Sequence, residues 1–505
     1  MHRSPSPTRA RRASRALVGV TAAVALIAGL GTGPQAAAGV RDDVAALRAE
    51  AKALTVKSET QKKVAAASTR TADRAEAKAE VFTAQAKKAA KSAKKTSAAV
   101  KRAKKKGLKA KVKALRAKVA SQRKIAKSRS QAAAKQRAAV RSAKAAAARS
   151  TERADAYAAQ AQTKATEADL LALRADREES LAEILEGWNI PGAQIVYSKN
   201  GVTDSYSFGV QSTATNVPVT NHSIFQGASL SKVVSSYVFL KRVDEGVIDL
   251  DTPLWEYYES PRTAHSDDAK TITARMVLNH TTGLPNWANG AGNESSLLTP
   301  AFTPGTDWGY SGDGFFLLQQ TIEHLDGQLF HETLKEEVFE PFGMNDSTLV
   351  TLAENADRTI VGHDAAGVPV AMSNWQRGNS AYTLQTTAED YTRFIQHALI
   401  DGEGLEPETH TLWTEYSADA DRDADNPANP FISWGLGVGL QESSKGKALW
   451  HWGDNTTRKA FFLAFPDRDE SVAIFWNSAN GQASAGQILS TFLGAQQFHA
   501  LTWVG

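Results

Sequence analysis

The feature of this chain that most constrains its fold is a long stretch without helix-breaking residues. No proline occurs between Pro34 and Pro191, and Gly107 is the one glycine between residues 41 and 170. The stretch consists mainly of Ala, Lys, Arg, Gln and Ser, most of which favour helices. It therefore predicts a helical or coiled-coil segment over residues 39–170, with Gly107 as the natural place for a hairpin bend.

Large apolar residues are sparse in this segment. One short run has the spacing of a coiled-coil seam and consists of Leu108, Val112, Leu115 and Val119. Because so little apolar surface is available for burial, partial disorder is the alternative to a thin helical coil.

Charge divides the chain into two parts. The net charge of +5 over 505 residues is the sum of a basic and an acidic part. Residues 41–170 contain 35 Lys and Arg against 11 Asp and Glu, whereas residues 171–505 contain 19 against 43. No acidic residue occurs between Glu80 and Glu152. Such a run is either a solvated spacer or a surface that binds polyanions through many weak, salt-sensitive contacts.

The first 38 residues have the pattern of a secretory signal peptide. "MHRSPSPTRARRASR" is basic, "ALVGVTAAVALIAGLG" is apolar, and small residues follow, so cleavage after Ala38 is expected. The apolar part is shorter than a membrane span, and Arg11-Arg12 leaves twin-arginine export open. The basic segment of a secreted, envelope-associated protein would meet an anionic cell-wall polymer or a membrane surface. No nucleic acid is expected, because no aromatic residues for base stacking interleave the charges.

The chain contains no cysteine. This excludes disulfides, thiol catalysis and cysteine-ligated zinc. The sequence also lacks H-E-x-x-H and similar ligand spacings, so no metal and no other cofactor is expected. It has no G-x-S-x-G turn of the kind that carries the nucleophile in α/β-hydrolases.

From about Ala168 the composition becomes that of a globular protein. "ADLLALRADREESLAEILEGW" predicts an amphipathic helix, and "GAQIVYSKNGV" and "TDSYSFGVQS" predict a hairpin that turns at Asn200-Gly201. "ALWHWGDN", "KAFFLAFPD" and "SVAIFWNSANG" predict three more strands, and "ASAGQILSTFLGAQQ" predicts a closing helix. Residues 171–505 should therefore form an α/β domain, an antiparallel sheet built from both ends of the domain with helices and an inserted helical region.

A Ser-x-x-Lys pattern stands at the start of an apolar helix in "FQGASLSKVVSSYVFLKRV". The spacing alone is weak, since the chain contains it four times. At Ser229 and Lys232, however, small residues precede the serine and a buried helix follows. At about 100° per residue, Lys232 lies on nearly the same helix face as Ser229, while Ser231 points away. A desolvated lysine beside a serine hydroxyl can take its proton and activate it as a nucleophile.

The surrounding sequence resembles the penicillin-binding protein and class C β-lactamase-like serine hydrolases, in their DD-carboxypeptidase and esterase branch. "FQGASLSKVV" is similar to the nucleophile motif of that family. The resemblance runs from about residue 180 to the C-terminus. After the nucleophile motif, five further blocks follow in the family's order: "GVIDLDTPLWEYY", "ITARMVLNHTTGLPNW", "PGTDWGYSGDGFFLLQQTIE", "VFEPFGMNDSTL" and "AYTLQTTAEDYTRF". The resemblance implies a β-lactamase/transpeptidase-like fold, preceded here by a long basic helical extension.

The resemblance also implies the site residues. Ser229 corresponds to the acylated nucleophile and Lys232 to its proton partner. Tyr310, in "YSG" with Ser311, corresponds to the tyrosine that shares proton transfer and later activates water. A phenol near a lysine ammonium is expected to have a lowered pKa, which would make Tyr310 a usable base.

Substrate binding is implied for a second group, Ser311, His451, Gly453 and Asp454. His451-Trp452-Gly453 stands where the family has Lys-Thr-Gly or His-x-Gly on the strand beside the site. Its glycine would leave room for substrate along the strand edge. The backbone N–H groups of Ser229 and Asp454 would form the oxyanion hole. His280 is interpreted as a structural residue that orders its loop.

Two departures from the family's pattern bear on the substrate. Gly312 replaces the asparagine of the tyrosine motif, whose amide commonly holds an acylamino side chain. His451 replaces lysine and is a weaker anchor for a carboxylate at neutral pH. The sequence therefore predicts an exported serine hydrolase, with the D-Ala-D-Ala end of wall peptides as its first substrate class. Esterase or weak β-lactamase activity of the same family is one alternative, and a non-catalytic envelope-binding scaffold is another.

Overall fold

A computed structural model describes residues 34–371, 373–423 and 425–505 of the chain. The predicted signal peptide lies outside the described residues up to position 33. Within the described part, no helix is both long and apolar enough to cross a bilayer. Among the described residues the chain divides into two compact units: the first is Ala38–Ala175, and the second is Asp176–Gly505 together with residues 34–37.

The first unit is a helical hairpin. Its arms are α1 (Pro34–Lys105) and α2 (Lys109–Gly187), and Gly107 turns the chain between them with φ 68°. Contacts between the arms pair early with late residues: Ser58 Oγ donates to the Ala154 carbonyl at 2.8 Å, and Gln122 Nε2 donates to Ser92 Oγ at 2.6 Å. The predicted long helical extension is therefore confirmed, with its bend at Gly107.

Alanine forms most of the seam between the arms. The buried residues of the hairpin are mainly small: Ala51, Ala65, Ala72, Ala75, Ala79, Ala86, Ala93, Ala103, Ala133, Ala154, Ala161 and Ala168. Small side chains let the two helix backbones approach closely but bury little apolar area each. The hairpin thus owes much of its order to the helix propensity of its residues.

The second unit contains an eight-stranded antiparallel sheet in the order β2-β1-β12-β11-β10-β9-β8-β7. Its strands are β1 (Gly192–Lys199), β2 (Val202–Gly209), β7 (Ala418–Asp419), β8 (Ile432–Trp434), β9 (Gly439–Gln441), β10 (Ala448–Asp454), β11 (Lys459–Phe465) and β12 (Glu470–Trp476). β1 pairs with β12, with Ile195 opposite Ile474. The predicted sheet built from both ends of the domain is therefore confirmed.

Two short strand pairs lie outside this sheet: β3 (Phe225–Ala228) with β6 (Leu384–Thr386), and β4 (Gly362–His363) with β5 (Pro369–Val370). The remaining helices are α3 (Ser231–Asp244), α4 (Leu254–Tyr257), α5 (Asp267–Lys270), α6 (Ala274–Leu278), α7 (Gly312–Asp326), α8 (Phe330–Leu334), α9 (Ala388–Phe394), α10 (Pro407–Thr414), α11 (Gly481–Leu493) and α12 (His499–Val504). α8 and α9 each continue into a wider π-helical turn, Lys335–Phe339 and Ile395–Ile400 respectively.

The sheet separates two apolar cores. One core contains α3 and the inserted helices, with side chains such as Val233, Val238 and Phe315. The other is packed by α11 and α12 and is rich in indole rings, including Trp434, Trp450 and Trp503. β10 contributes side chains to both cores, so its residues are fixed from both faces.

Candidate active site

Ser229 lies in the turn between β3 and α3. Ala228, before it, is buried and left-handed with φ 48°, a conformation that costs energy for a residue with a Cβ and recurs at functional sites. The Leu230 N–H donates to the Gly227 carbonyl at 3.0 Å, and the Lys232 N–H donates to the Ser229 carbonyl at 3.0 Å. These bonds place the half-buried Ser229 just before the first helical residue, Ser231.

Lys232 contacts Ser229 directly. Its Nζ lies 3.3 Å from Ser229 Oγ and donates to the Ala381 carbonyl at 2.9 Å. The side chain is 1% exposed, and no carboxylate of the described residues pairs with it. Burial therefore lowers the pKa of Lys232 well below its ordinary value. A neutral amine with a free lone pair next to a hydroxyl is a competent base.

Tyr310 packs its ring under the same amine. Lys232 Nζ lies 4.7 Å from the centre of the Tyr310 ring. The buried hydroxyl has no hydrogen-bond partner of good geometry in the described structure, although Ser229 lies close enough to affect its titration. Burial raises the pKa of Tyr310 above its ordinary value, and Ser229 and Arg422 oppose this only in part.

The expectation of a lowered pKa for Tyr310 was therefore wrong. It assumed a protonated Lys232 beside the phenol, but burial disfavours the charged form of both groups. Burial is the larger influence on the phenol, so the Tyr310 hydroxyl keeps its proton at neutral pH.

The Ser311 side chain forms hydrogen bonds within the protein. Its Oγ accepts from the Gly314 N–H at 2.9 Å, which caps α7, and donates to the Pro285 carbonyl at 2.8 Å. The residue is 1% exposed. Both hydrogen-bonding roles of its hydroxyl are thus used within the protein, and the structure does not bring Ser311 to a surface that substrate could reach.

His451 is near Tyr310 but uncharged. The rings of the two residues are 6.1 Å apart, and His451 Nδ1 donates to the Trp452 carbonyl at 2.7 Å. Burial is the main cause that lowers the pKa of His451 to about 3. The predicted role as a carboxylate anchor therefore needs correction, because at neutral pH this imidazole supplies no positive charge.

Gly453 is required by a backbone contact. A Cβ at this position would lie 2.3 Å from the Gly227 carbonyl oxygen, so β10 runs directly against the strand that leads to Ser229. The sequence interpretation gave this space to substrate, whereas the protein's own backbone fills it. Along β10, β9 pairs with Ala448–Trp450 but not beyond, so within the described residues His451–Asp454 pair with a strand on one side only.

Asp454 ends β10 with an exposed side chain. Its carboxylate accepts from the Thr456 N–H at 2.7 Å and forms an ion pair with Lys459 at 2.5 Å. These contacts fix the end of the strand. They occupy the side chain and leave the backbone N–H as the group that the predicted oxyanion hole would use.

Gly312 faces an indole ring. A Cβ at Gly312 would lie 2.5 Å from two ring carbons of Trp287, so an asparagine could not stand here unless the indole moved. Trp287 packs edge-on against Tyr382, whose carbonyl accepts from Asn455 Nδ2 at 3.3 Å. The apolar indole of Trp287 thus lies where the amide of the family's asparagine would be.

Three features of the site were missed by the sequence interpretation. The Ala381 carbonyl that holds Lys232 is a backbone group, and no residue type marks it. Trp287 stands in the quoted "GLPNW" block, but its contact with Gly312 joins residues far apart in the chain. His280 was interpreted as structural, and its left-handed φ of 62° is visible only in the structure.

Comparisons with known proteins identify the family of the second unit. The β-lactamase family model matches residues 177–489. Penicillin-binding protein 4 of Amycolatopsis lactamdurans is 28% identical over 233 residues, which are 42% of this chain and 61% of that protein. The D-alanyl-D-alanine-carboxypeptidase/endopeptidase AmpH of Escherichia coli K12 is 25% identical over 208 residues, 38% of this chain and 53% of that protein.

Solved structures show the same fold. A class C β-lactamase variant superimposes with a TM-score of 0.56 at 18% identity, covering 64% of this chain and 98% of the other. The D-alanine carboxypeptidase AmpC of Burkholderia cenocepacia gives 0.54 at 19% identity, covering 64% and 99%. The matches to the first curated relatives span about three-fifths of those proteins' length.

Proposed function

Because this chain belongs to the β-lactamase family, we propose that it is a serine hydrolase that forms an acyl-enzyme on Ser229. The observation that carries the proposal is the contact between a desolvated lysine amine and the serine hydroxyl, 3.3 Å apart in the turn before α3. A buried lysine without a carboxylate partner destabilises the fold, and general-base catalysis explains why one is kept here.

In the acylation step, Ser229 Oγ attacks the substrate carbonyl carbon while its proton passes to Lys232 Nζ. The negative charge that develops on the carbonyl oxygen would be stabilised by the backbone N–H groups of Ser229 and Asp454. When the tetrahedral intermediate collapses, the leaving group takes the proton directly from Lys232 Nζ. Water then attacks the acyl-enzyme and passes its proton through the neutral hydroxyl of Tyr310 to Lys232, which returns a proton to Ser229 Oγ as the serine is released.

The first substrate class is the D-Ala-D-Ala end of cell-wall peptides. The half-open edge of β10 at His451–Asp454 supports the binding of an extended peptide as an added strand. Since His451 is neutral, a terminal carboxylate needs another cation. Arg422, whose guanidinium lies 5.9 Å from the centre of the Trp452 ring, offers one beside the site.

A second candidate is ester hydrolysis, and the contact between Gly312 and Trp287 favours it. The indole leaves no space for an amide side chain at position 312 and presents an apolar surface instead. An ester with an apolar acyl group would lose nothing there, whereas an acylamino substituent would find no polar partner at this position. The third alternative is a non-catalytic envelope-binding scaffold. It would not explain why Lys232 is buried without a carboxylate partner.

One set of assays separates these candidates. The full chain is incubated with penicillin, with a tripeptide ending in D-Ala-D-Ala and with a p-nitrophenyl ester of an apolar acid. Release of D-Ala would support the carboxypeptidase, and rapid ester turnover without D-Ala release would support the esterase. If intact-mass spectrometry finds no adduct and neither substrate turns over, the hydrolase proposal is wrong and the scaffold remains.

We further propose that the hairpin holds this enzyme at the envelope of the cell that exports it. Its charge is uneven: residues 81–151 contain 24 Lys and Arg and no acidic residue, and all of these basic residues are exposed. Within the described structure, Lys144 alone among these 24 basic residues forms an ion pair, and its partner is Glu76. At 1.5 Å per residue, the arm from residue 81 to the bend is about 37 Å long.

The composition of this cationic tip, residues 81–151, favours a phosphate-bearing wall polymer over a lipid surface. Exposed large apolar side chains are few in this segment: Val81 at 55%, Leu108 at 44% and Ile125 at 48% exposure. A helix that inserts into a membrane interface needs a continuous apolar face. Linear polyanions need only closely spaced cations and a release of counterions.

A further inference from the structure

His280 connects the loop after α6 to both sides of Tyr310. The His280 carbonyl accepts from the Gly309 N–H at 2.8 Å, and His280 Nδ1 accepts from the Ser311 N–H at 3.2 Å. One residue thus holds the backbone before and after the tyrosine. The His280 and Tyr310 rings also pack together, with their centres 4.4 Å apart.

This arrangement depends on the left-handed conformation of His280. With φ 62°, the residue directs both its carbonyl and its imidazole toward the same segment. A left-handed backbone is unfavourable for a residue with a Cβ, and Asn is among the residues that tolerate it best. The residue is fully buried, so the surrounding structure imposes the conformation.

The bond to Ser311 also fixes the state of the imidazole. Since Nδ1 accepts, the ring proton is on Nε2, and a doubly protonated ring could not make this bond. Burial lowers the pKa of His280 well below its ordinary value. The imidazole is therefore neutral across the range in which the enzyme would work, and Nδ1 remains an acceptor throughout.

The hydroxyl end of Tyr310 has no fixed hydrogen bond of its own. Its hydroxyl makes no hydrogen bond of good geometry within the described residues, and its ring packs against neighbours such as Trp452 at 4.8 Å. The direction of the hydroxyl is therefore set by this packing together with the backbone at Gly309 and Ser311, and both of those backbone groups bond to His280.

We propose that His280 is a positioning residue that aims the Tyr310 hydroxyl at Ser229 and Lys232 through its paired bonds to Gly309 and Ser311. The inference rests on the proposed acyl-enzyme function and adds a residue to it. Water attack requires proton transfer through Tyr310, so a misplaced hydroxyl should slow deacylation more than acylation, in which Lys232 takes the proton directly.

Two substitutions separate the hydrogen bond from the backbone conformation. His280→Asn tolerates the left-handed backbone and places an amide oxygen where Nδ1 was, so it should keep both bonds. His280→Gly also tolerates the backbone but has no acceptor for the Ser311 N–H. Formation and loss of the penicillin adduct are followed by intact-mass spectrometry in the full-length protein, with thermal unfolding of each variant as a check on folding.

We expect His280→Asn to deacylate within about threefold of the wild type, a difference below 1 kcal/mol. His280→Gly should deacylate about 100-fold more slowly, the cost of a displacement of about 1 Å in a reacting group, while its acylation changes much less. In a Tyr310→Phe background the effect of His280→Gly on deacylation should vanish, because a positioning residue has nothing left to position.

Several results would overturn the inference. Deacylation of His280→Gly at the wild-type rate would do so, as would equal slowing of both steps or an undiminished effect in the Tyr310→Phe background. If His280→Gly does not fold, a His280→Asn variant with wild-type thermal stability but slow deacylation would also overturn it. A wild type that forms no adduct is a different failure, since it removes the proposed function and this inference together.

Discussion

At the scale of single residues, the site is governed by the removal of charge from water. Lys232, His451 and the hydroxyl of Tyr310 are buried, and burial favours the neutral form of each. The lowered pKa of Lys232 is what a general base for Ser229 would require. The spacing of Ser229 and Lys232 could be predicted from the sequence, but the protonation states could not, because they depend on neighbours distant in the chain.

This burial carries a cost in stability that a substitution should reveal. An unfolded lysine is protonated below its ordinary pKa of 10.5, whereas the folded Lys232 has a pKa well below that value. Folding therefore releases a proton, and the resulting penalty grows as the pH falls from about 10.5 toward the folded pKa. Lys232→Met should abolish acylation and yet raise the melting temperature at pH 7, with the gain shrinking as the pH approaches 10.5.

The matched control is Lys241→Met on the same helix. Lys241 forms a 2.9 Å ion pair with Glu337 near the surface, so its loss should not raise stability. Differential scanning calorimetry at several pH values measures both variants. A Lys232→Met protein that is less stable than the wild type at pH 7 would show that the lysine is charged in the folded state.

At the scale of elements, the site is assembled where a strand meets a turn. β10 passes so close to the residue before Ala228 that only glycine fits at position 453. The hairpin of β1 and β2 and the three C-terminal strands were predictable, because alternating and β-branched residues between turn signals identify them. The two-residue and three-residue strands, such as β4 and β7, carry no such periodicity and were not predicted.

The closing helix shows a similar limit. It was predicted over residues 483–497, and the structure ends α11 at Leu493 and begins the separate α12 at His499. Gly494, with φ 71°, ends the first helix, and its significance depends on a backbone angle that the sequence does not display.

Gly453→Ala tests the contact between β10 and the nucleophile turn. The added Cβ would meet the Gly227 carbonyl oxygen, and a backbone atom cannot move aside as a flexible side chain can. We expect a loss of about 1–3 kcal/mol in the free energy of unfolding and slower acylation, measured by denaturant titration and adduct formation. Gly187→Ala is the control, since a Cβ at that position would meet no neighbouring atom within 4 Å. Equal acylation rates in the two variants would contradict the proposed contact.

At the scale of the whole molecule, the division of charge follows the division into units. The change of composition near residue 170 predicts a domain boundary there, and the structure divides the chain between Ala175 and Asp176, inside a helix that continues without a break to Gly187. A boundary inside a continuous helix leaves no proline or glycine signal, so composition was the one guide. The antiparallel pairing of the arms also brings the acid-free parts of both helices together, which a count along the chain does not show.

Binding by the cationic tip can be tested by changing charge without changing the helix. Six lysines near the bend are replaced by glutamine in one variant and by arginine in the control: Lys101, Lys104, Lys105, Lys109, Lys111 and Lys113. Binding of the full-length proteins to long-chain polyphosphate is measured at several salt concentrations. The glutamine variant should bind more weakly, with the slope of log affinity against log salt reduced by about 0.7 for each lysine that no longer binds a phosphate.

The arginine variant should retain both affinity and slope. Equal binding by the glutamine variant and the wild type would contradict the role of the tip. Vesicles of anionic phospholipid serve as the second surface, and tighter binding to them than to polyphosphate would assign the tip to a membrane.

If Ser229 carries the acyl group, incubation with penicillin should leave a covalent adduct on it, which intact-mass spectrometry detects. The control is Ser236→Ala. Ser236 lies in α3, and its buried hydroxyl donates to the Lys232 carbonyl at 2.8 Å. We predict a mass increase of one penicillin in the wild type and in Ser236→Ala, located by peptide mapping to Ser229, and none in Ser229→Ala. A Ser229→Ala protein that still gains the penicillin mass would contradict the account.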